Sequence, residues 1–161
     1  MNINSTILSG YRVLQDISHL LAGKQHVLFV TDKNIVGLPD VQALIAQVKH
    51  AVPQVLLVDH VPAEPSQHDV AQILSQLNQI QTDLVIGVGG GSVLDVAKLL
   101  SVLCAGDETV TLESLLAGEK PTRRTTSLLI PTTAGTGSEA TPNRSESTRL
   151  NSSHITSSYA V

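Results

Sequence analysis

The amino-acid sequence predicts an α/β fold, a Rossmann-like, doubly wound parallel sheet. Four short aliphatic runs are continuous rather than alternating, which is typical of strands that are covered on both faces. Segments with helical apolar spacing separate these runs, and strands that alternate with helices are joined by crossovers that make the sheet parallel. Aromatic residues make up only 2% of the chain, so the core is expected to be aliphatic.

Each predicted element rests on its own apolar pattern. The predicted strands are Val27–Thr31, Val55–Val58, Leu84–Val88 and Ser127–Ile130. Residues spaced by three and four place an apolar stripe on each of three helices. These stripes are Val13, Leu14, Ile17, Leu20 and Leu21; Val41, Leu44, Ile45 and Val48; and Val70, Ile73, Leu74, Leu77 and Ile80. A fourth helix, from Ser92 to about Cys104, is apolar almost all round and is predicted to be buried.

Two of the helix starts carry capping patterns. Ser66 and Asp69 are predicted to open the third helix with a capping box, and Pro65 blocks an earlier start. Ser92 and Asp95 have the same spacing at the start of the fourth helix, so we interpret Asp95 as a helix cap.

Length, charge and composition restrict the class of protein. A chain of 161 residues suits one domain with a proper core. A net charge of −4 without a cluster of Lys and Arg argues against nucleic acid as a partner. No stretch approaches the ~20 apolar residues of a membrane span, and no signal peptide is visible, so we expect no membrane association and a cytoplasmic location. The single cysteine, Cys104, lies in an apolar run and is expected to be a buried, inert thiol.

The clearest chemical signal is a triple glycine between a strand and a helix. Gly89, Gly90 and Gly91 follow the third predicted strand and lead into Ser92. Glycine allows a sharp turn and close approach of a ligand, and a helix start presents free amides, so the segment suits a pyrophosphate. The common G-x-G-x-x-G fingerprint is absent because Ser92 stands where its third glycine belongs, and a purely structural tight turn remains the alternative.

Two further segments follow predicted strands at the same edge of a parallel sheet. Asp32 ends the first strand, where a carboxylate can accept hydrogen bonds from ribose hydroxyls and repel a 2′-phosphate; capping of the next turn is the equal alternative. The loop Pro131–Asn143 follows the fourth strand, and its hydroxyls and glycines can line a cofactor or form only a flexible linker. The candidate hydroxyls are Thr132, Thr133, Thr136 and Ser138.

Two motifs together resemble the iron-containing alcohol dehydrogenase family over about residues 5 to 143. They are Gly89-Gly90-Gly91-Ser92-x-x-Asp95-x-Ala97-Lys98 and Pro131-Thr132-Thr133-Ala134-Gly135-Thr136-Gly137-Ser138-Glu139. The resemblance implies a site for the cofactor pyrophosphate at Gly89, Gly90, Gly91 and Ser92. It also implies that Asp32 contacts the ribose and selects NAD over NADP. The adenine and nicotinamide-ribose side would be lined by Thr132, Thr133, Thr136 and Ser138.

The same resemblance implies an enzyme that transfers hydride between an alcohol or aldehyde and a nicotinamide, with a divalent metal, usually iron, as Lewis acid. Members of the family add an all-helical domain that holds the metal on one Asp and three His residues. No match to that domain occurs in the sequence, so no catalytic or metal-binding residue is predicted here. The metal is expected only in a full-length parent, which we expect to be a homo-oligomer. Three alternatives stay open: a glycerol dehydrogenase-like fragment, a dehydroquinate synthase-like fragment and a non-catalytic nucleotide-binding module.

The predicted domain ends near Asn143. Residues 144–161 are Ser-rich and carry neither a helical nor a strand pattern, so we expect an unstructured tail after a partial dinucleotide-binding domain at residues 1–143. Within the tail, Ser147–His154 and Ser158–Val161 look like a translated sequencing adapter. This resemblance predicts that the tail is an artefact and that the chain is a truncated fragment without enzyme activity of its own.

Overall fold

The computed structural model describes residues 17–78, 80–106, 109–121 and 123–132. Within these ranges, four parallel strands form one sheet in the order β2-β1-β3-β4. The strands are β1 (His26–Val30), β2 (Gln54–Val58), β3 (Leu84–Gly89) and β4 (Thr126–Pro131). All four predicted strands are confirmed, and no observed end differs from the predicted one by more than one residue.

Helices connect these strands. They are α1 (Pro39–Ala51), α2 (Gln67–Leu77), α3 (Gly91–Leu103) and α4 (Leu112–Leu116), and residues 17–21 are also helical. The predicted stripe of α1 is buried completely, whereas Ile80 lies beyond the end of α2 and Val13 and Leu14 lie outside the described residues. α4 was not predicted, because its five residues are little more than one turn and carry no stripe. Across the described ranges, none of the helices is both long and apolar enough to cross a membrane.

Two apolar layers lie on opposite faces of the sheet. Successive residues of a strand point to opposite faces, so Leu28 and Val30 pack with α2, α3 and α4, whereas Val27 and Phe29 pack with α1 and helical residues 17–21. Phe29, the only phenylalanine of the chain, is fully buried in the second layer. This two-sided burial confirms the doubly wound α/β class and explains why the strands are continuous apolar runs.

The helix starts show one confirmed capping box and one wrong prediction. Ser66 Oγ accepts a hydrogen bond from the Asp69 amide at 3.1 Å, and Asp69 Oδ2 accepts one from the Ser66 amide at 2.8 Å. Hydrogen bonds from the Ser66 amide and hydroxyl hold the pKa of Asp69 below its ordinary value. α3, by contrast, has Gly90 as its N-cap and no side-chain cap, so the interpretation of Asp95 as a cap is wrong. Asp95 lies one turn inside the helix, where it is buried and its Oδ1 is 3.9 Å from Lys98 Nζ.

Cys104 follows α3 directly and is only 3% exposed, which confirms its predicted burial. Burial raises the pKa of its thiol from 9.0 to about 11. The thiol is therefore protonated at neutral pH, whereas the reactive form of cysteine is the thiolate.

Candidate functional site

The carboxyl ends of β1 and β3 form the point where the strand order reverses. From β1 the chain first adds β2 on one side and then crosses over to add β3 on the other. In open α/β sheets, ligands bind in the crevice beyond the carboxyl ends of the strands at such a point. Asp32 follows β1, and the triple glycine begins at the last residue of β3. Because neighbouring strands lie ~4.8 Å apart, both groups are within reach of one ligand.

The predicted hydroxyl residue Thr132 joins the same edge. Gly89 and Pro131 are register partners, and the Thr132 amide donates to the Gly89 carbonyl at 3.1 Å. Asp32, the glycine turn and Thr132 thus lie at the ends of three adjacent strands. The other three predicted hydroxyl residues lie outside the described residues, so their roles stay predictions; they are Thr133, Thr136 and Ser138.

The glycines of this segment fall into two steric classes. A Cβ added at Gly87 would lie 2.6 Å from the Ala97 Cβ, and one at Gly89, where φ is +156°, would lie 2.8 Å from Val93 Cγ2. Close packing of α3 on β3 therefore requires these two glycines. A Cβ at Gly90 or Gly91 would meet no heavy atom of the described residues within 4 Å. Internal packing does not explain why glycine occupies these last two positions.

The start of α3 adds free amides next to this open space. The first main-chain bond of the helix runs from the Leu94 amide to the Gly90 carbonyl at 3.0 Å. The amides of Gly91, Ser92 and Val93 therefore have no acceptor within the helix. Free amides and the positive end of the helix dipole attract an anion. The turn thus combines open space with the donors that a phosphate group needs.

Ser92 is tied to the loop between β2 and α2. Its Oγ accepts a hydrogen bond from the Glu64 amide at 3.2 Å. Glu64 has a φ of +53°, a backbone conformation that is unfavourable for a residue with a side chain. Because the hydroxyl acts as acceptor in this bond, its proton stays available for a second partner such as a phosphate oxygen.

Asp32 uses one carboxylate oxygen to hold the turn that follows β1. Its Oδ1 accepts hydrogen bonds from the amides of Asn34 at 2.8 Å and Ile35 at 2.9 Å. Turn capping, one of the two interpretations of this residue, is therefore observed. The cap does not occupy the whole carboxylate, because Asp32 is only half-buried and Oδ2 accepts no bond from the described residues.

Sequence reasoning missed the roles of Thr31 and Gly87 at this site. Thr31 is fully buried, and its hydroxyl donates to the Val88 carbonyl at 2.7 Å. Gly87 lets Ala97 of α3 approach β3. Neither role has a local signal, because each depends on a residue of another element; a lone hydroxyl inside an apolar strand is the one hint that the sequence offers for Thr31.

Other candidate features lie away from this edge. Among the described residues, no group of three His, Cys, Asp or Glu side chains is placed to hold a metal ion. A cavity of about 390 Å³ lies between α2, the end of α3 and α4, and its lining includes apolar residues such as Leu74 and Leu103 as well as Gln81 and Glu113. At 1.5 Å per residue, the length of α3 separates this cavity from the glycine turn by roughly 18 Å. The cavity is therefore not part of the site.

Comparisons with known proteins agree on one family. The family model described as iron-containing alcohol dehydrogenase matches residues 4–155. Long-chain-alcohol dehydrogenase 1 of Geobacillus thermodenitrificans is 36% identical over 121 residues, which are 74% of this chain and 31% of that protein. 4-Hydroxybutyrate dehydrogenase of Cupriavidus necator is 32% identical over 120 residues, 73% of this chain and 31% of that protein. The crystal structure of an iron-containing alcohol dehydrogenase from Thermotoga maritima matches with a TM-score of 0.64 and 29% identity, over 81% of this chain and 36% of that one.

The extent of these matches defines what they establish. The chain spans about a third of the length of the relatives that it matches. The structural match confirms the Rossmann-like sheet, and the family model covers nearly all of the sequence. The chain therefore belongs to the iron-containing alcohol dehydrogenase family.

Proposed function

We propose that this chain binds a nicotinamide dinucleotide, NAD(H) in preference to NADP(H), as the cofactor-binding part of an alcohol dehydrogenase. The parent enzyme would transfer hydride between an alcohol or aldehyde and the nicotinamide. The observation that carries the proposal is the open space at Gly90 and Gly91, at the start of α3 and beside the strand that leads to Asp32. A side chain there would fill the space that a pyrophosphate needs.

The pyrophosphate would be held by main-chain amides and one hydroxyl. The amides of Gly91, Ser92 and Val93 have no acceptor within α3, and the helix dipole adds positive potential at the same place. Ser92 can donate its hydroxyl proton to a phosphate oxygen while its Oγ accepts from Glu64. The described residues therefore fit a dinucleotide phosphate.

Asp32 would select NAD(H) through its free oxygen. Two amide bonds to Oδ1 fix the carboxylate, so Oδ2 can accept from the ribose hydroxyls, and its charge repels the 2′-phosphate of NADP. In the usual Rossmann arrangement, the strand with the acid is the neighbour of the strand with the glycines. β1 and β3 are neighbours in the same way, although the acid precedes the glycines along this chain.

We assign the reaction of the alcohol itself to none of the described residues. When bound, the divalent metal of the family polarises the alcohol oxygen as a Lewis acid. The residues of this chain bind and orient the dinucleotide, and we assign none of them a catalytic role. Thr132 would line the adenine and nicotinamide-ribose side of the site with Thr133, Thr136 and Ser138. The two relatives named for different substrates match similar shares of this chain, which suits a shared cofactor function.

The organisation of the chain is part of the proposal. Residues 1–143 would form the dinucleotide-binding domain and residues 144–161 a separate, artefactual tail; the family match extends to residue 155. We also propose that the parent enzyme is a homo-oligomer, as the resemblance to the family implies. A cytoplasmic location is proposed from the sequence alone. An uninterrupted genomic copy of the locus with the same codons after 143 would overturn the proposal of an artefactual tail.

The experiment compares Gly91→Ala with Gly37→Ala in the 161-residue chain. Both glycines have an ordinary φ and open space where an alanine methyl group would lie, but only Gly91 is among the residues proposed to hold the pyrophosphate. Binding of NADH and NADPH is measured by calorimetry, and stability by thermal unfolding. We expect Gly91→Ala to weaken NADH binding at least about tenfold. Its stability should stay equal or rise by up to about 1 kcal/mol, because alanine is favoured over glycine in a helix.

Gly37→Ala should change neither property, and the unsubstituted chain should bind NADH more tightly than NADPH. A Gly91→Ala chain that binds NADH as well as the unsubstituted chain does would contradict a pyrophosphate site at this turn. A preference for NADPH would contradict the role proposed for Asp32 alone.

A further inference from the structure

We infer that Thr31 is a positioning residue that sets the separation between the ribose and pyrophosphate parts of the cofactor site. The inference rests on the proposed function and deepens it. Thr31 would not touch the cofactor. It would act through the hydrogen bond that joins the end of β1 to the end of β3.

Thr31 stands where the β1–β3 ladder ends. The register pairs between these strands stop at Val30 and Gly87. The main chain of Thr31 is bonded on the opposite side: its amide donates to the Val58 carbonyl at 2.7 Å, and its carbonyl accepts from the Val61 amide at 3.3 Å. No main-chain group of Thr31 is therefore left for β3.

The Thr31 hydroxyl replaces the ladder bond that is missing at this point. In a continuing parallel ladder, the Val88 carbonyl would accept a hydrogen bond from a main-chain amide of β1. Instead it accepts one from Thr31 Oγ1 at 2.7 Å, and Thr31 is 0% exposed. A buried carbonyl without a donor is costly, so this single hydroxyl stabilises the contact between the two strand ends.

The two bonded residues are the immediate neighbours of the two parts of the site. Thr31 precedes Asp32, and Val88 precedes Gly89. One hydrogen bond between residues 57 positions apart thus connects the proposed ribose acid to the proposed pyrophosphate turn. Loss of the hydroxyl should let the strand ends shift. The groups that touch the cofactor would all remain, but at the wrong distance from each other.

The test compares Thr31→Val, which keeps the shape and removes the hydroxyl, with Thr31→Ser, which keeps the hydroxyl. Thr125→Val is the matched control, because Thr125 is also buried and its Oγ1 donates to the Thr82 carbonyl at 3.0 Å near the amino ends of the strands. Two ligands are titrated by NMR into the 161-residue chain. ADP-ribose spans both parts of the site, whereas inorganic pyrophosphate occupies one part.

We expect Thr31→Val to weaken ADP-ribose binding about tenfold, because a ligand held at the pyrophosphate turn would lose one well-placed hydrogen bond to the displaced ribose part. Pyrophosphate binding should weaken less than about twofold, because pyrophosphate occupies one part of the site. Thr31→Ser should restore the affinity for ADP-ribose to within about threefold of the unsubstituted chain. Thr125→Val should leave both affinities unchanged even if it lowers the Tm as much as Thr31→Val does.

The outcomes separate this inference from the proposed function. If the unsubstituted chain binds neither ligand, the proposed function fails and the role of Thr31 fails with it. If the chain binds ADP-ribose and Thr31→Val binds it equally well, only the positioning role is overturned. The role is also overturned if Thr31→Ser does not rescue binding, or if Thr125→Val shows the same loss, because either result would assign the effect to overall stability.

Discussion

The two ends of β3 differ in whether the polar groups around them find hydrogen-bond partners within the protein. At the amino end, the Thr82 amide donates to the Cys104 carbonyl at 2.9 Å and the Asp83 amide to the His26 carbonyl at 2.8 Å. The Asp83 carboxylate accepts in turn from the amides of Gln25 and His26. Here the protein satisfies its own polar groups, and the bonds tie β3 to β1 and to the end of α3.

At the carboxyl end, the protein leaves polar groups and space unused. The amides of Gly91, Ser92 and Val93 have no acceptor within α3, and the positions beside Gly90 and Gly91 are open. The switch point of the strand order already marks the carboxyl edge of the sheet as the place where ligands bind. The difference in hydrogen bonding and in space identifies the end that is built for a ligand.

The largest effect expected from this comparison is on a glycine that serves packing rather than binding. Gly87→Ala would place a Cβ 2.6 Å from the Ala97 Cβ and push α3 away from β3. We expect a loss of roughly 2–3 kcal/mol in the free energy of unfolding, measured with urea. Gly37→Ala, with open space at its Cβ, is the control and should be nearly neutral. Equal stability of the two variants would show that α3 is not closely packed on β3.

A smaller effect is expected from Cys104 at the amino end of β3, which we call the closed end because its polar groups bond to each other. Its pKa is about 11 in the folded chain and 9.0 without burial, so above pH 9 the unfolded thiol ionises while the folded one keeps its proton. The folded state therefore loses stability as the pH rises, by about 1 kcal/mol between pH 9 and pH 10. Urea unfolding at both pH values measures this slope. Cys104→Ala should show a shallower slope, and an unchanged slope would mean that the thiol is accessible to solvent.

The sequence patterns that succeeded are those whose cause is local or repeated. The strand around Phe29 was predicted because a strand that is buried on both faces needs apolar residues at consecutive positions, and such a run is visible in the sequence. The start of α2 was predicted because Ser66 and Asp69 bond to each other within one turn. Asp32 and the glycines were predicted to lie at one edge of the sheet because parallel strands bring their carboxyl ends together, and the strand order adds that their strands are neighbours.

The predictions that failed or were absent depend on contacts between elements. Ser92 and Asp95 have the same spacing as Ser66 and Asp69, yet they do not cap α3. Its N-cap is Gly90, two residues before Ser92, and a glycine has no side chain to signal a cap. The sequence of a glycine run does not show which glycines allow α3 to pack on β3 and which leave space for a ligand. That distinction comes from where Val93 and Ala97 lie, and these are known only once α3 is docked on β3.

The smallest effect on stability is expected from Ser127, whose hydroxyl is an exception to the hydrogen bonding of polar groups at the closed end. Ser127 is 0% exposed, and its Oγ has no hydrogen-bond partner among the described residues. The hydroxyl of Thr125, which comes just before β4, is by contrast bonded to the Thr82 carbonyl. Ser127→Ala should therefore be neutral or stabilise the chain by up to about 1 kcal/mol, because it removes a buried polar group that gains no bond. Thr125→Val should instead destabilise it by about 1–2 kcal/mol, because the Thr82 carbonyl loses a buried donor. Urea unfolding compares the two variants. A clear loss of stability in Ser127→Ala would mean that this hydroxyl has a partner, and that the closed end of the sheet is satisfied without exception.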